Sequence, residues 1–239
     1  NELLFKERAA REAEEKKNEL VVYLAHDLKT PLTSIIGYLT LLEESPDLPV
    51  AYKARYTHIT LDKAYRLEQL INELFDITRF NLQAVALEHN RINLSLMLQK
   101  IVEEFYPSFK QKNITVQADI SSKIMIVGDA DKLARVFDNL IRNAVSYSYE
   151  NTVLKIFADS DEKYAHICVR NTGDQIPEEK LQIIFEKFFR ADNARGTQNG
   201  GAGLGLAIAR EIVELHGGVI KAFSNKEYTD FLVTLPLNI

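Results

Sequence analysis

Residues 26–31 read His-Asp-Leu-Lys-Thr-Pro. An imidazole beside a carboxylate can take up a group on nitrogen while a proton moves to a neighbouring base, and a hydroxyl one helical turn on can orient a water. Val21, Ala25, Leu28, Leu32, Ile35, Leu39 and Leu42 recur at alternating spacings of four and three around this motif, which predicts a helix with one buried seam. With Ala25 at heptad position a, His26 falls at b and Thr30 at f, so both are expected on the solvent side, open to a reactant. Pro31 removes a backbone hydrogen bond inside that helix at a cost of about 3 kcal/mol, which predicts a kink, and hence a hinge, beside the reactive group.

A second chemistry lies in residues 138–148, Asp-Asn-Leu-Ile-Arg-Asn-Ala-Val-Ser-Tyr-Ser. Asn139 and Asn143 are one helical turn apart and share a face; carboxamide oxygens suit a hard cation such as Mg²⁺ held jointly with phosphates. A third lies in the glycines. Gly196, Gly200, Gly201, Gly203 and Gly205 are five of the ten glycines of the chain, and they open directly into the helical pattern from Leu204. A glycine-rich turn at a helix N-terminus offers unpaired N–H groups to an anion. It is not a P-loop, since no Gly-Lys-Ser/Thr follows, and it lacks the βαβ setting of a dinucleotide fingerprint. Between these motifs stand Asn171-Thr-Gly-Asp-Gln-Ile-Pro177, read as a strand end and turn, and Phe185-Glu-Lys-Phe-Phe-Arg190, read as helical.

The elements that must hold these residues divide the chain in two. Residues 1–19 are rich in charges of both signs and read as an exposed helix or coiled-coil arm. Ser45-Pro-Asp-Leu-Pro49 interrupts the first seam, and Leu67, Leu70, Leu74 and Ile77 resume the spacing, so a helical hairpin is expected up to about residue 85. Two helices make too small a core to stand alone, and a dimer closing into a four-helix bundle is the expected remedy. Residues 86–239 alternate strand-like runs, at 114–120, 153–158, 164–169, 218–223 and 231–235, with helical patterns at 94–111, 131–146, 178–188 and 204–216. That half reads as an α/β sandwich with helices on one sheet face.

Composition agrees with two globular domains: 239 residues, 46% hydrophobic, 26% charged. A net charge of -5 argues against a nucleic-acid ligand. Cys168 is alone, so no internal disulfide can form, and a reducing compartment is expected. No apolar run approaches the ~20 residues of a membrane span, and the opening on Asn1 within a helical pattern reads as the soluble portion of something longer. His58, His89 and His216 lack partners at ligand spacing; His166 and Cys168 on one strand face read as packing.

Taken in order, the His-Asp-x-x-Thr-Pro hairpin, the Asn-x-x-x-Asn helix, the Gly-x-x-Ile-Pro turn, Phe-x-x-Phe-x-Arg and Gly-x-Gly-Leu-Gly-Leu resemble the sensor histidine kinases of two-component systems. Residues 23–38 and 59–70 are most similar to the VanS-type sensors of vancomycin resistance. The resemblance implies a dimeric phosphotransfer hairpin over 1–85 and a Bergerat-type ATP-binding sandwich over 86–239. It makes His26 the phosphoacceptor, Asp27 the base that orients it, and Thr30 the phosphatase hydroxyl. Asn139 and Asn143 would form the cofactor-binding helix, with Asn143 the Mg²⁺ ligand and Tyr147 packing on adenine. Asn171 and Gly173 would edge the adenine; Gly201, Gly203, Leu204 and Gly205 would line the phosphates; Arg190 or Arg195 would meet the γ-phosphate. ATP and Mg²⁺ are the implied cofactors. The implied partners are a second copy of the chain and the receiver domain of a VanR-type response regulator, with the full-length protein anchored in the cell membrane and this portion cytoplasmic.

Two departures stand out. The family usually has aspartate where this chain has Asn171, a weaker acceptor for the adenine amino group. Ser146 stands where many relatives have a lysine, and Gln175 where a second glycine is usual. These departures leave a degenerate, scaffolding relative open as a rival. A chaperone- or gyrase-like ATPase is the other, and the His26 helix speaks against it.

Overall fold

The computed structural model describes residues 28–80, 87–187, 189 and 203–238. The chain divides into two compact units, Asn1–Gln83 and Ala84–Ile239.

In the first unit, a helix covering residues 28–44 of the described stretch (α1) is followed by a short turn and by α2, Val50–Phe80. The turn is closed by Leu48 N–H on Ser45 O (3.2 Å) and by the Lys53 ammonium on Pro46 O (2.7 Å). Tyr38 of α1 meets Tyr56 of α2 with ring centroids 5.4 Å apart, pinning the two helices at the turn end. Pro31 is buried within α1. The carbonyl one turn before it belongs to Asp27, so the expected kink lies outside the described residues. Along the expected seam, Leu32 and Leu39 remain 45% and 50% exposed in the single chain; outside that seam, Leu61 of α2 is 48% exposed. Leu70 by contrast is buried.

The second unit is a two-layer sandwich. Its sheet joins β2 (Thr115–Ile120), β4 (Val153–Ser160), β5 (Tyr164–Asn171), β7 (Thr229–Pro236) and β6 (Val219–Ser224) in the order β2-β4-β5-β7-β6. β2 and β4 run parallel, and the other pairs are antiparallel. The period of two decides which face is covered: Leu154, Ile156, Ala165, Ile167, Val169, Phe231, Val233 and Leu235 are buried, while Phe157, Tyr164 and Leu232 between them are exposed. Three helices cover the buried face, α3 (Leu94–Glu104), α5 (Ala130–Tyr147) and α6 (Gly205–Leu215). α5 presents Leu133, Val136, Phe137, Leu140, Ile141, Ala144 and Val145 to the core at helical spacing. Each such large side chain contributes roughly 1.5–3 kcal/mol of burial.

Three expectations are corrected. The helix read over 94–111 is broken at Phe105 into α3 and a short α4, Tyr106–Gln111, because Pro107 takes the first turn of the new helix. The stretch read as helical over 178–188 forms two 3₁₀ turns, Glu178–Lys180 and Ile183–Phe185, closed by three-residue hydrogen bonds such as Lys180 N–H to Pro177 O (2.8 Å). Phe185 therefore ends a 3₁₀ turn instead of opening a helix. Two short strands unforeseen in the sequence, β1 (Asn90–Asn93) and β3 (Met125–Gly128), pair antiparallel beside the sandwich.

Candidate nucleotide site

α5 is fixed at its N-terminus by Asp129. That carboxylate accepts Lys132 N–H (3.2 Å) and Glu88 N–H (3.3 Å) and pairs with the Lys132 ammonium. Burial alone would raise the Asp129 carboxyl, but these partners hold it below its usual value. The Asp129 N–H donates to His216 Nε2 (3.0 Å), so His216 must carry its proton on Nδ1, which donates to Ile212 O (2.7 Å). Buried on all sides, His216 has its pKa lowered by desolvation, against the pull of that carbonyl. It is a core residue joining the end of α6 to the start of α5.

Asn139, Asn143 and Tyr147 follow along one face of α5 at four-residue intervals, Asn139 and Asn143 half-buried and Tyr147 exposed. The Asn139 Nδ2 is fully buried and has no hydrogen-bond partner among the described residues. Opposite it begins α6: a Cβ added to Gly205 would stand 3.1 Å from Asn139 Oδ1. The α6 N-terminus has no side-chain cap, which leaves its first N–H groups available to an anion. Gly203 just before it takes φ +76°, a left-handed conformation open to glycine. Leu204 is buried at 1% exposure, so its side chain belongs to the core and only its backbone can face a ligand.

At the other end of α5, the chain leaves the helix through Ser148 and forms an isolated bridge with Gly173. Tyr149 N–H donates to Thr172 O (2.9 Å), and its phenol donates to Asp174 (2.5 Å), a hydrogen bond that raises the Tyr149 pKa. A Cβ at Gly173 would lie 2.1 Å from the Tyr147 carbonyl oxygen, so only glycine fits this approach. Asn171, 3% exposed, ends β5 on the covered face, opposite Thr229 of β7. Thr229 shares a hydrogen bond with Ser224 (2.7 Å), whose hydroxyl also accepts Ile176 N–H (2.9 Å). Behind them Arg170 forms a two-pronged pair with Asp230 (2.7 Å each) and covers the Tyr228 ring at 3.8 Å, fixing the strand register beneath Asn171 and Thr229.

The structure thus brings Asn139 to Gly205, and Tyr147 to Gly173 and Asn171. Thr30, exposed on α1, belongs to the other unit. His26, Asp27, Arg190, Arg195 and Gly201 lie outside the described residues. Ser224, Thr229 and Lys112, which adjoin this site, carry no sequence motif; only the β5–β7 and β6–β7 pairing and the end of α5 bring them in. The donor set fits a nucleotide with a hard cation: an orphaned amide, a neutral carboxamide one turn on, and an uncapped helix end. No helix among the described residues is long and apolar enough to cross a membrane.

Residues 16–83 match the family model described as His Kinase A (phospho-acceptor) domain, and residues 128–239 that described as Histidine kinase-, DNA gyrase B-, and HSP90-like ATPase. The sensor protein VanS of Enterococcus faecium is 54% identical over 97% of this chain and 60% of its own length. The chain belongs to the sensor histidine kinases. VanSC of Enterococcus gallinarum is 51% identical over 96% of the chain and 63% of that relative, so the finer resemblance to VanS-type sensors also holds. The chain spans about three fifths of the length of these two sensors. Among solved structures, the histidine kinase ThkA in complex with the response regulator protein TrrA matches 97% of this chain and 65% of that one, at TM-score 0.73 and 26% identity. The catalytic domain of ThkA alone matches 63% of the chain at TM-score 0.58 and 27% identity. The expected hairpin-plus-sandwich fold is therefore that of the family, and the ATPase match implies an ATP site within residues 128–239.

Proposed function

We propose that this chain is the ATP-dependent protein histidine kinase portion of a VanS-type sensor, controlling vancomycin resistance through a VanR-type response regulator. The observation that carries the reading is the buried Asn139 amide, without a partner among the described residues, facing the start of α6 at Gly205, which has no side-chain cap. An orphaned polar group of this kind is costly unless a ligand completes it.

On this reading, Asn139 and Asn143 hold the triphosphate end of ATP, with Asn143 the ligand of Mg²⁺, whose charge neutralises the phosphates when bound. Tyr147, Asn171 and Gly173 hold the adenine, and Gly201, Gly203, Leu204 and Gly205 line the phosphates through their backbones. Arg190 or Arg195 offsets charge on the γ-phosphate. His26 attacks in line with its imidazole lone pair: an N–P bond forms, the P–O bond to ADP breaks, and the ring proton passes to Asp27. The phosphoryl group then moves from nitrogen to a carboxylate oxygen of an aspartate on the response regulator. Thr30 orients the water that later hydrolyses that acyl phosphate, giving the same protein phosphatase activity. The active form is a homodimer, anchored in the cell membrane by segments outside this chain and acting in the cytoplasm.

Incubation with γ-labelled ATP and Mg²⁺ tests this. Label that is alkali-stable, acid-labile and lost in His26→Gln is the expected result. Bound nucleotide without label would instead support a scaffolding relative.

A further inference from the structure

The C-terminal end of α5 meets an ammonium supplied by another element. Lys112, directly after α4, donates from Nζ to the carbonyls of Val145 (2.8 Å), Ser146 (2.8 Å) and Ser148 (3.3 Å). Its own carbonyl accepts Asn151 N–H (3.2 Å), so one residue grips the chain from 145 to 151 at four points. A helix leaves its last carbonyls unpaired and carries partial negative charge there, and a cation answers both needs. α5 has no basic residue in its own last turn. The three protons of an ammonium match three acceptors, a set that no neutral side chain can serve. Lys112 is half-buried, and Glu150 is the charged group facing it.

The segment held in this way is the one from which the purine end of the site is built. Tyr147 lies between two of the capped carbonyls, and its own carbonyl packs against Gly173. Ser148 carries the bridge to Gly173. We propose that Lys112 is a positioning residue for nucleotide binding: by capping α5 it fixes Tyr147 and the Ser148–Gly173 bridge against which the base is held. The assignment rests on the ATP site proposed above. It is independent of His26 chemistry, because Lys112 acts on binding and not on the transferred group.

The test titrates Mg²⁺ and ATP into the full chain by calorimetry, and measures labelling of His26 over a range of ATP concentrations, in the parent, Lys112→Met and Lys112→Arg. Lys112→Met should weaken ATP binding about tenfold, the scale of one lost helix-terminal charge contact. The KM for ATP should rise in step while the rate at saturating ATP holds. Lys112→Arg should recover most of the affinity, which a lost packing contact would not. Unchanged affinity in Lys112→Met overturns the proposal, as does an arginine variant no tighter than methionine, or a fall in rate at constant KM. Should Lys112→Met not fold, Lys112→Gln, which keeps one donor pair, is read by the same criteria. A parent chain that binds no ATP overturns the underlying ATP site, and this assignment with it.

Discussion

Gly173 and Asn139 show how the site depends on single atoms. Gly173→Ala sets a methyl 2.1 Å from the Tyr147 carbonyl oxygen, and backbone must move to relieve it. The expected loss is about 2 kcal/mol of stability, read by urea unfolding, with ATP affinity falling as the Ser148–Gly173 bridge opens. Asn139→Ala should separate binding from stability. The Asn139 Nδ2 has no partner among the described residues, so its removal should leave the unfolding midpoint unchanged or raised, while calorimetry shows ATP affinity down by at least about tenfold. A drop in stability with binding intact would contradict the proposed role. The spacing of Asn139, Asn143 and Tyr147 was legible because helix geometry is local and four residues always return to one face. The need for glycine at 173 was not, since the atom that forbids a side chain belongs to the end of a distant helix. Ser224 and Thr229 were equally hidden, being ordinary strand residues until β5, β6 and β7 are laid side by side.

At the scale of elements, α5 is held at both ends by groups from elsewhere, Asp129 with His216 at the start and Lys112 at the finish. Both ionisable groups at the start have depressed pKa values. The unfolded chain therefore takes up protons more readily than the folded one as the solution is acidified. His216 contributes stability above its unfolded value near 6.5 that is lost as pH falls through its lower folded value; Asp129 adds a second loss at more acid pH, through its own folded value. Denaturant midpoints for the sandwich unit should fall from pH 7.5 to 5, and His216→Gln should flatten that dependence at the cost of a lower midpoint at neutral pH. A midpoint rising with acid would refute the assignment. Most elements of this unit were legible because α5 and α6 are amphipathic and the central strands β4 and β5 alternate between covered and open faces. The misreading over 178–188 has a physical origin: Leu181, Ile184 and Phe185 fall at helical spacing, yet hydrogen bonds closing after three residues satisfy the backbone in separate turns. The small β1–β3 pair was missed because strands of four residues carry too few alternations to register.

At the scale of the molecule, the hairpin unit poses a question that the sandwich unit does not. The sandwich buries its helices against its sheet. The hairpin leaves Leu32 and Leu39, seven residues apart on one stripe of α1, half exposed, and Leu61 of α2 likewise. Water contact at such a stripe costs on the order of 1 kcal/mol per side chain, and among the described residues of this unit no further element is present to cover it. A second copy, laying the same stripe against the first, covers both and makes the four-helix bundle that the heptad spacing predicts. The chain should therefore sediment at about twice its mass of 27.2 kDa. Leu32→Glu with Leu39→Glu should return it to the monomer, since burying two carboxylates in that seam is far costlier than leaving it wet. The proposed ATP site draws only on residues of the other unit, so calorimetry on the double variant should still register nucleotide at near-parent affinity. A variant that remains dimeric would show that the seam is not the dimer contact. One that loses ATP binding along with dimerisation would show that the two units are coupled through the assembly.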